Sequence, residues 1–262
     1  MNTVTSKDGT TIAFDQSGQG PVVILVGGAL QYRAFDQGLA QLAHLLAEHF
    51  TVIHYDRRGR GDSTDTKTYE LRREIEDLDA LINAVGGPAF VYGISSGGAL
   101  ALEAAAALGN KIQKLAIYEP PYNDDENARA GWRQYTQKLM ELVQADRKGE
   151  AVGNFMMLTG MPPEQLEGMR QNPMWPLWES IGLTLAYDAV AMGEDSSVPT
   201  ERARKVSAPT LVITGSQTYP FMSESAKTLA ETIPNARHHM LEGQSHEVSA
   251  EVLAPVLVEF FR

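Results

Sequence analysis

Phe90-Val91-Tyr92-Gly93-Ile94-Ser95-Ser96-Gly97-Gly98-Ala99 decides how the rest of this chain is read. An apolar run runs straight into Gly-x-Ser-x-Gly, and an Ala/Leu-rich helical pattern over 97–108 follows at once. A serine on so tight a strand–helix turn sits in a strained conformation, with its hydroxyl pushed out above the sheet. Glycines at 93 and 97 let the flanking backbones approach closely enough to make the turn. The match is only five residues long, and a glycine-rich turn without chemistry is the plainer alternative. The strand before it and the helix after it make the match specific. Ser95 is therefore the candidate nucleophile. Ser96 falls at the start of the helix, where its N–H is better placed for use than its hydroxyl.

Outward from this turn, further nearly continuous apolar strings occupy 22–26, 51–55, 115–119 and 211–214. Strands buried on both faces of a parallel sheet read this way. Helical spacing separates them, in Phe35, Leu39, Leu42 and Leu46, and again in Leu71, Ile75, Leu78, Ile82 and Val85. A last helix over 250–261 carries Leu253, Leu257 and Phe261 on one face. Alternation of strands and helices predicts an α/β fold with right-handed crossovers and active residues at the carboxyl ends of the strands. From 121 to 199 no buried strand is evident. All three tryptophans and many methionines fall there within helix-like patterns. This predicts core segments 1–120 and 200–262 with a helical cap over 121–199. A purely structural helical excursion is the alternative.

Composition narrows the function classes. At 262 residues the chain suits one domain with a large insertion. Forty-three per cent apolar residues exclude a disordered chain. Thirty-three acidic against 22 basic residues give a net charge of −11, which argues against nucleic acid or an anionic membrane as partner. Without cysteine there is no disulfide, thiolate zinc site or thiol nucleophile. No apolar run approaches the roughly 18 residues of a membrane span. The first residues lack the basic start and apolar stretch of a secretion signal, so a cytoplasmic location is expected. His44 and Glu48 form an i, i+4 pair but lack a third ligand, so neither metal nor cofactor is expected.

Four motifs in order resemble the α/β-hydrolase superfamily over nearly the whole chain. The serine turn is one of them. Val22-Val23-Ile24-Leu25-Val26-Gly27-Gly28-Ala29 is similar to the strand and oxyanion loop, with Val26 where a loop-supporting histidine usually stands. Asp56-Arg57-Arg58-Gly59-Arg60-Gly61-Asp62-Ser63 resembles a structural turn of the family, which here competes with an anion-binding reading. Leu241-Glu242-Gly243-Gln244-Ser245-His246 resembles the catalytic-histidine loop. The resemblance implies an α/β-hydrolase fold: a mostly parallel central sheet with helices on both faces and a helical cap insertion. It also implies His246 as base, with Gly28 and Ser96 as backbone oxyanion donors; Ala29 is the neighbouring alternative to Gly28.

The acid member departs from the family pattern. The loop after the penultimate strand, Thr214-Gly215-Ser216-Gln217-Thr218-Tyr219-Pro220-Phe221, contains no carboxylate. An imidazole base needs an orienting, charge-stabilising partner on its far nitrogen. Glu119 ends the strand that follows the serine-turn helix. Zearalenone-type lactonases and pancreatic-type lipases carry their acid after that strand, so Glu119 is expected to complete the triad. A glutamate merely salt-bridging the cap is the alternative. Asp124, Asp125 and Glu126 read as a solvated charge run, and Glu224 as a late substitute. The remaining five histidines read as structural. The expected activity is hydrolysis of a small apolar carboxylic ester or lactone through an acyl-serine. The alternative is a small-molecule receptor with slow turnover. Trp132, Met156, Met157, Met161, Trp175 and Trp178 are the candidate pocket residues, though packing within the cap would explain them too.

Overall fold

In the strand Val22–Val26, Val23 and Leu25 face one core while Ile24 and Val26 face another. That period of two, apolar on both sides, forces helices onto both faces of the sheet. The computed structural model describes residues 1–66 and 69–262. Along the chain come β1 (Asn2–Thr5), β2 (Thr11–Ser17), β3 (Val22–Val26), α1 (Gln37–Leu46), β4 (Thr51–Tyr55), α2 (Leu71–Ala84), β5 (Ala89–Ile94), α3 (Ser96–Leu108) and β6 (Ile112–Tyr118). Then follow α4 (Glu126–Gln144), α5 (Lys148–Leu158), α6 (Pro163–Arg170), α7 (Trp175–Ser180), α8 (Leu185–Met192) and α9 (Thr200–Ala203). The chain closes with β7 (Thr210–Gly215), α10 (Pro220–Thr232), β8 (Ala236–Leu241) and α11 (Ala250–Phe261).

The eight strands lie in the order β1-β2-β4-β3-β5-β6-β7-β8. Only the β1–β2 and β2–β4 pairings are antiparallel; the rest are parallel. The apolar strings predicted five of these strands, β3 to β7. The first two escape that reading. They form an edge hairpin: β1 is largely exposed, and β2 buries only the short apolar stretch Ile12, Ala13 and Phe14. On one face α1 and α11 cover Val23, Leu25, Phe90 and Tyr118, and Leu253, Leu257 and Phe261 are buried as the spacing requires. Each such side chain contributes about 1.5–3 kcal/mol. On the other face α2, α3 and α10 complete the second core. Ala99, Ala101, Ala104 and Ala105 bring α3 close to the sheet, and the helix is buried nearly all round.

Residues 121–199 contain no strand among those described. Helices α4, α5, α7 and α8 form a third apolar cluster around Tyr135, Leu139, Val152, Met156, Trp175 and Leu185. Leu30 and Tyr32, from the loop after β3, belong to the same cluster. The helical segment is therefore packed onto the carboxyl end of the sheet, and α8 also lies against α3. No described helix is long and apolar enough to cross a membrane.

Candidate active site

Ser95 takes φ 54°, ψ −131°, a region that side chains rarely enter, between the end of β5 and the start of α3. Its own N–H donates to Tyr118 O (2.9 Å), and its carbonyl accepts from Gly98 N (2.9 Å). The turn closes only because two neighbours lack side chains. A Cβ on Gly93 would lie 2.4 Å from Gly97 O, and one on Gly97 would lie 2.4 Å from Val26 O. Strain of this kind costs about 1–3 kcal/mol and persists only where the surroundings hold it.

Glu119, the first residue after β6, is likewise held at positive φ, 44°, and is completely buried. Its Oε2 lies 2.8 Å from His246 Nδ1, and its Oε1 accepts from Gly215 N at 2.8 Å. An ionised carboxylate can only accept. The contact therefore puts a proton on His246 Nδ1, and Nε2 is the ring nitrogen that Glu119 leaves free. The loop carrying His246 is tied to the same two strands. Tyr118 Oη donates to Ser245 O, and Gln217 N donates to Gln244 O. Gly215 allows this approach, since a Cβ there would lie 2.1 Å from Gln244 O. The β7 loop thus supplies no carboxylate; the end of β7 supplies the N–H that holds the carboxylate arriving from β6. Gly215 escaped the sequence reading because a glycine at a strand end gives no sign of which backbone it will meet.

Gly28 lies beside the serine: a Cβ added to it would come within 3.0 Å of both Ser95 Cβ and Ile94 O. Its N–H, one of the expected oxyanion donors, donates to the side-chain carbonyl of Gln31. Gln31 was not foreseen. Its only sequence signal is a polar residue three positions beyond the glycine, within a tight turn closed by Gln31 N on Gly28 O (3.3 Å). Ser96 opens α3, so its N–H is among those with no acceptor inside the helix. Its hydroxyl, set aside in the sequence reading, donates to Asp188 Oδ1 at 2.8 Å.

The arginine-rich turn after β4 is an interior structure. Arg57, Arg58 and Arg60 are each at most 2% exposed. Glu74 takes Arg57 through two bonds of 2.7 Å, and Asp77 takes Arg58 at 2.8 and 2.7 Å. The predicted apolar stripe of α2 therefore also carries two buried carboxylates. Burial would push the Glu74 carboxyl up, but Arg57 and the Tyr69 hydroxyl outweigh it and hold it below the ordinary range. At Asp77 burial prevails and the shift is upward.

Of the six candidate pocket residues, Met156 and Trp175 are interior to the helical cluster. Trp132, Met161 and Trp178 are partly buried against it, whereas Met157 is 39% exposed on α5. Trp178 meets Phe35 edge-on, and Phe35 stacks on Tyr32 of the cluster. Among the described residues, no group of three or more His, Asp or Glu side chains could hold a metal ion. Surface hollows lined by Lys114, Pro209, Asn235 and Phe260 lie at the amino ends of β7 and β8. Open α/β sheets bind ligands at the opposite ends.

A mostly parallel sheet that lifts a strained serine at one strand end, with a carboxylate at the end of the next strand bonded to a histidine in the loop after the last, defines a class of α/β proteins built around a serine turn. This chain belongs to the alpha/beta hydrolase family, whose profile matches residues 22–251. It is 50% identical to an alpha/beta hydrolase from Sphaerobacter thermophilus whose structure is solved, with a TM-score of 0.88 and all of both chains covered. A thermophilic esterase from Thermogutta terrifontis shares the fold at 23% identity and a TM-score of 0.74, over 100% of this chain and 97% of that one. A non-heme chloroperoxidase from Streptomyces lividans is 26% identical, with both chains covered in full.

Proposed function

We propose that the protein hydrolyses a small apolar carboxylic ester or lactone through an acyl-serine, with residues 121–199 as the cap over the site. The observation that carries this reading is the buried Glu119 carboxylate bonded to His246 Nδ1, on the strand next to the one that presents strained Ser95. In this mechanism His246 Nε2 takes the Ser95 hydroxyl proton as Oγ attacks the carbonyl carbon. The charge that forms on the carbonyl oxygen is held by the N–H groups of Gly28 and Ser96, and Gln31 leaves Gly28 as that oxygen arrives. The tetrahedral adduct collapses, the carbon–oxygen bond to the leaving alcohol breaks, and His246 protonates that alcohol. In a lactone the alcohol stays tethered to the acyl chain. Water, deprotonated by His246, then releases the acid and restores Ser95. Glu119 stabilises the imidazolium in both steps.

Pre-steady-state hydrolysis of p-nitrophenyl butyrate tests the proposal. The expected result is a burst stoichiometric with enzyme, absent in Ser95→Ala, and a fall in kcat of about 10³–10⁴ in Glu119→Gln with the fold intact. Near-normal turnover by Glu119→Gln would remove the acid from its assigned role. The occupied Gly28 N–H favours one second reading, a receptor that binds its ligand and turns it over slowly. Ligand-dependent thermal stabilisation without any Ser95-dependent burst would select it.

A further inference from the structure

Asp188 comes from α8 in the helical segment, yet it is buried against the loops beneath the serine. Its Oδ1 accepts from the Ser96 hydroxyl at 2.8 Å and from Arg57 Nη1. Its Oδ2 accepts from Arg60 Nη2 at 2.6 Å. The same two arginines reach the oxyanion loop. Arg60 Nη1 donates to Gly28 O at 2.5 Å and to Gln31 O at 3.3 Å, and Arg57 Nη1 donates to Gly27 O in a longer contact of 3.4 Å. A trans peptide is planar with its C=O and N–H opposed. Holding the Gly27 carbonyl therefore sets the direction of the Gly28 N–H.

We propose that Asp188 is a positioning residue that aligns both oxyanion donors, Gly28 through Arg57 on the Gly27 carbonyl with Arg60 fixing the peptide that follows, and Ser96 through its hydroxyl, and so makes catalysis depend on the seating of α8. The inference rests on the hydrolase reading above. The charges in the cluster balance: Arg57 and Arg60 face Glu74 and Asp188. Buried ion clusters of this kind seldom add net stability over apolar packing of the same volume. Stability alone is thus a weak reason for four charges here, and orientation of the loop is a stronger one. Burial would push the Asp188 carboxyl up, but Arg60, Arg57 and the Ser96 hydroxyl hold it below the usual carboxylate range, so it remains an acceptor at neutral pH.

The test uses wild type, Asp188→Asn and Ser96→Ala, the last of which cuts one tie without changing any charge. Titration with a fluorophosphonate counts the reactive serines, so that kcat is expressed per competent site. Two inhibitors are then compared: a trifluoromethyl ketone, which becomes a tetrahedral oxyanion on Ser95, and the plain ketone, which does not. Loss of one oxyanion donor typically lowers turnover about 10²–10³-fold. Asp188→Asn is expected to lose about 10²-fold in kcat with KM within twofold. Affinity for the trifluoromethyl ketone should fall in parallel while the plain ketone binds as before. Ser96→Ala should show the same pattern several-fold. Wild-type kcat per site in Asp188→Asn, or equal loss of both ketones, would overturn the inference and leave the hydrolase reading standing. Should Asp188→Asn not fold, Ser96→Ala decides by the same two criteria. A wild type with no Ser95-dependent labelling or turnover would sink the hydrolase reading, and this inference with it.

Discussion

At the scale of single residues, the site depends on side chains that are missing as much as on those present. Gly97 has an ordinary φ, so its role is spatial: an added Cβ would meet Val26 O at 2.4 Å and Gly27 O at 2.5 Å, both backbone atoms with no rotamer to retreat to. Overpacking typically costs about 1–3 kcal/mol. Gly97→Ala is expected at or beyond the upper end of that range, read as a lowered midpoint in urea denaturation. A mutant as stable as wild type would mean that the loop after β3 yields easily. Ser95 was legible because strand, turn and helix are consecutive and local. The meeting of Glu119 with His246 was legible only by elimination together with the family resemblance. Gln31 and Gly215 were not legible, since each acts through an atom of a loop whose approach no local pattern records.

At the scale of elements, α4 is informative because alanine at its cap and alanine in its interior should act in opposite directions. Asp125 caps its start, with Oδ1 accepting from Asn127 N and Ala128 N at 3.0 Å each. The neighbouring Asp124 accepts from Val198 N at 3.0 Å, joining the two ends of the helical segment. The acidic run read from the sequence as solvated is indeed exposed, and it also performs these two tasks. Asp125→Ala should cost about 1 kcal/mol. Further along the same helix, Gly131 has open space around its Cα and no positive φ. Gly131→Ala is therefore expected to stabilise by about 0.5–1 kcal/mol, opposite in sign to Gly97→Ala. Thermal melts of the two α4 variants, moving apart on either side of wild type, would check both. A destabilised Gly131→Ala would indicate a neighbour packed on that face.

At the scale of the whole molecule, buried ionisable groups set the response to acid. Burial lowers the affinity of His54 and of His238 for a proton. The unfolded chain, in which histidine titrates near about 6.5, then binds protons that the folded chain refuses, and stability falls as pH drops through that range. A second loss follows below about pH 4. There Asp8, Glu74 and Asp188, held low in the fold despite burial by their arginine partners, must be protonated. Asp77 and Glu103 are raised by burial and act in the opposite sense. The melting temperature should decline from pH 7 to pH 5, and His54→Gln should flatten that limb while leaving the steeper loss below pH 4. An unchanged slope in His54→Gln would move the effect to another group.

The sequence by itself determined the parallel core of the sheet, the serine turn and the histidine loop, because each is written in consecutive residues whose periodicity or bulk acts on their immediate neighbours. It also marked 121–199 as different in kind, through the absence of strand-like runs. Only the tertiary structure decided what the three arginines of the β4 turn do. Arg57 and Asp188 stand 131 positions apart, and their pairing depends on where α8 comes to rest. The same holds for the edge hairpin β1–β2, whose short and mixed apolar pattern becomes a strand pair only through its pairing with β4. Long-range pairing of charges and backbones is settled by the packing of whole elements, and that packing leaves no local trace in the residues it brings together.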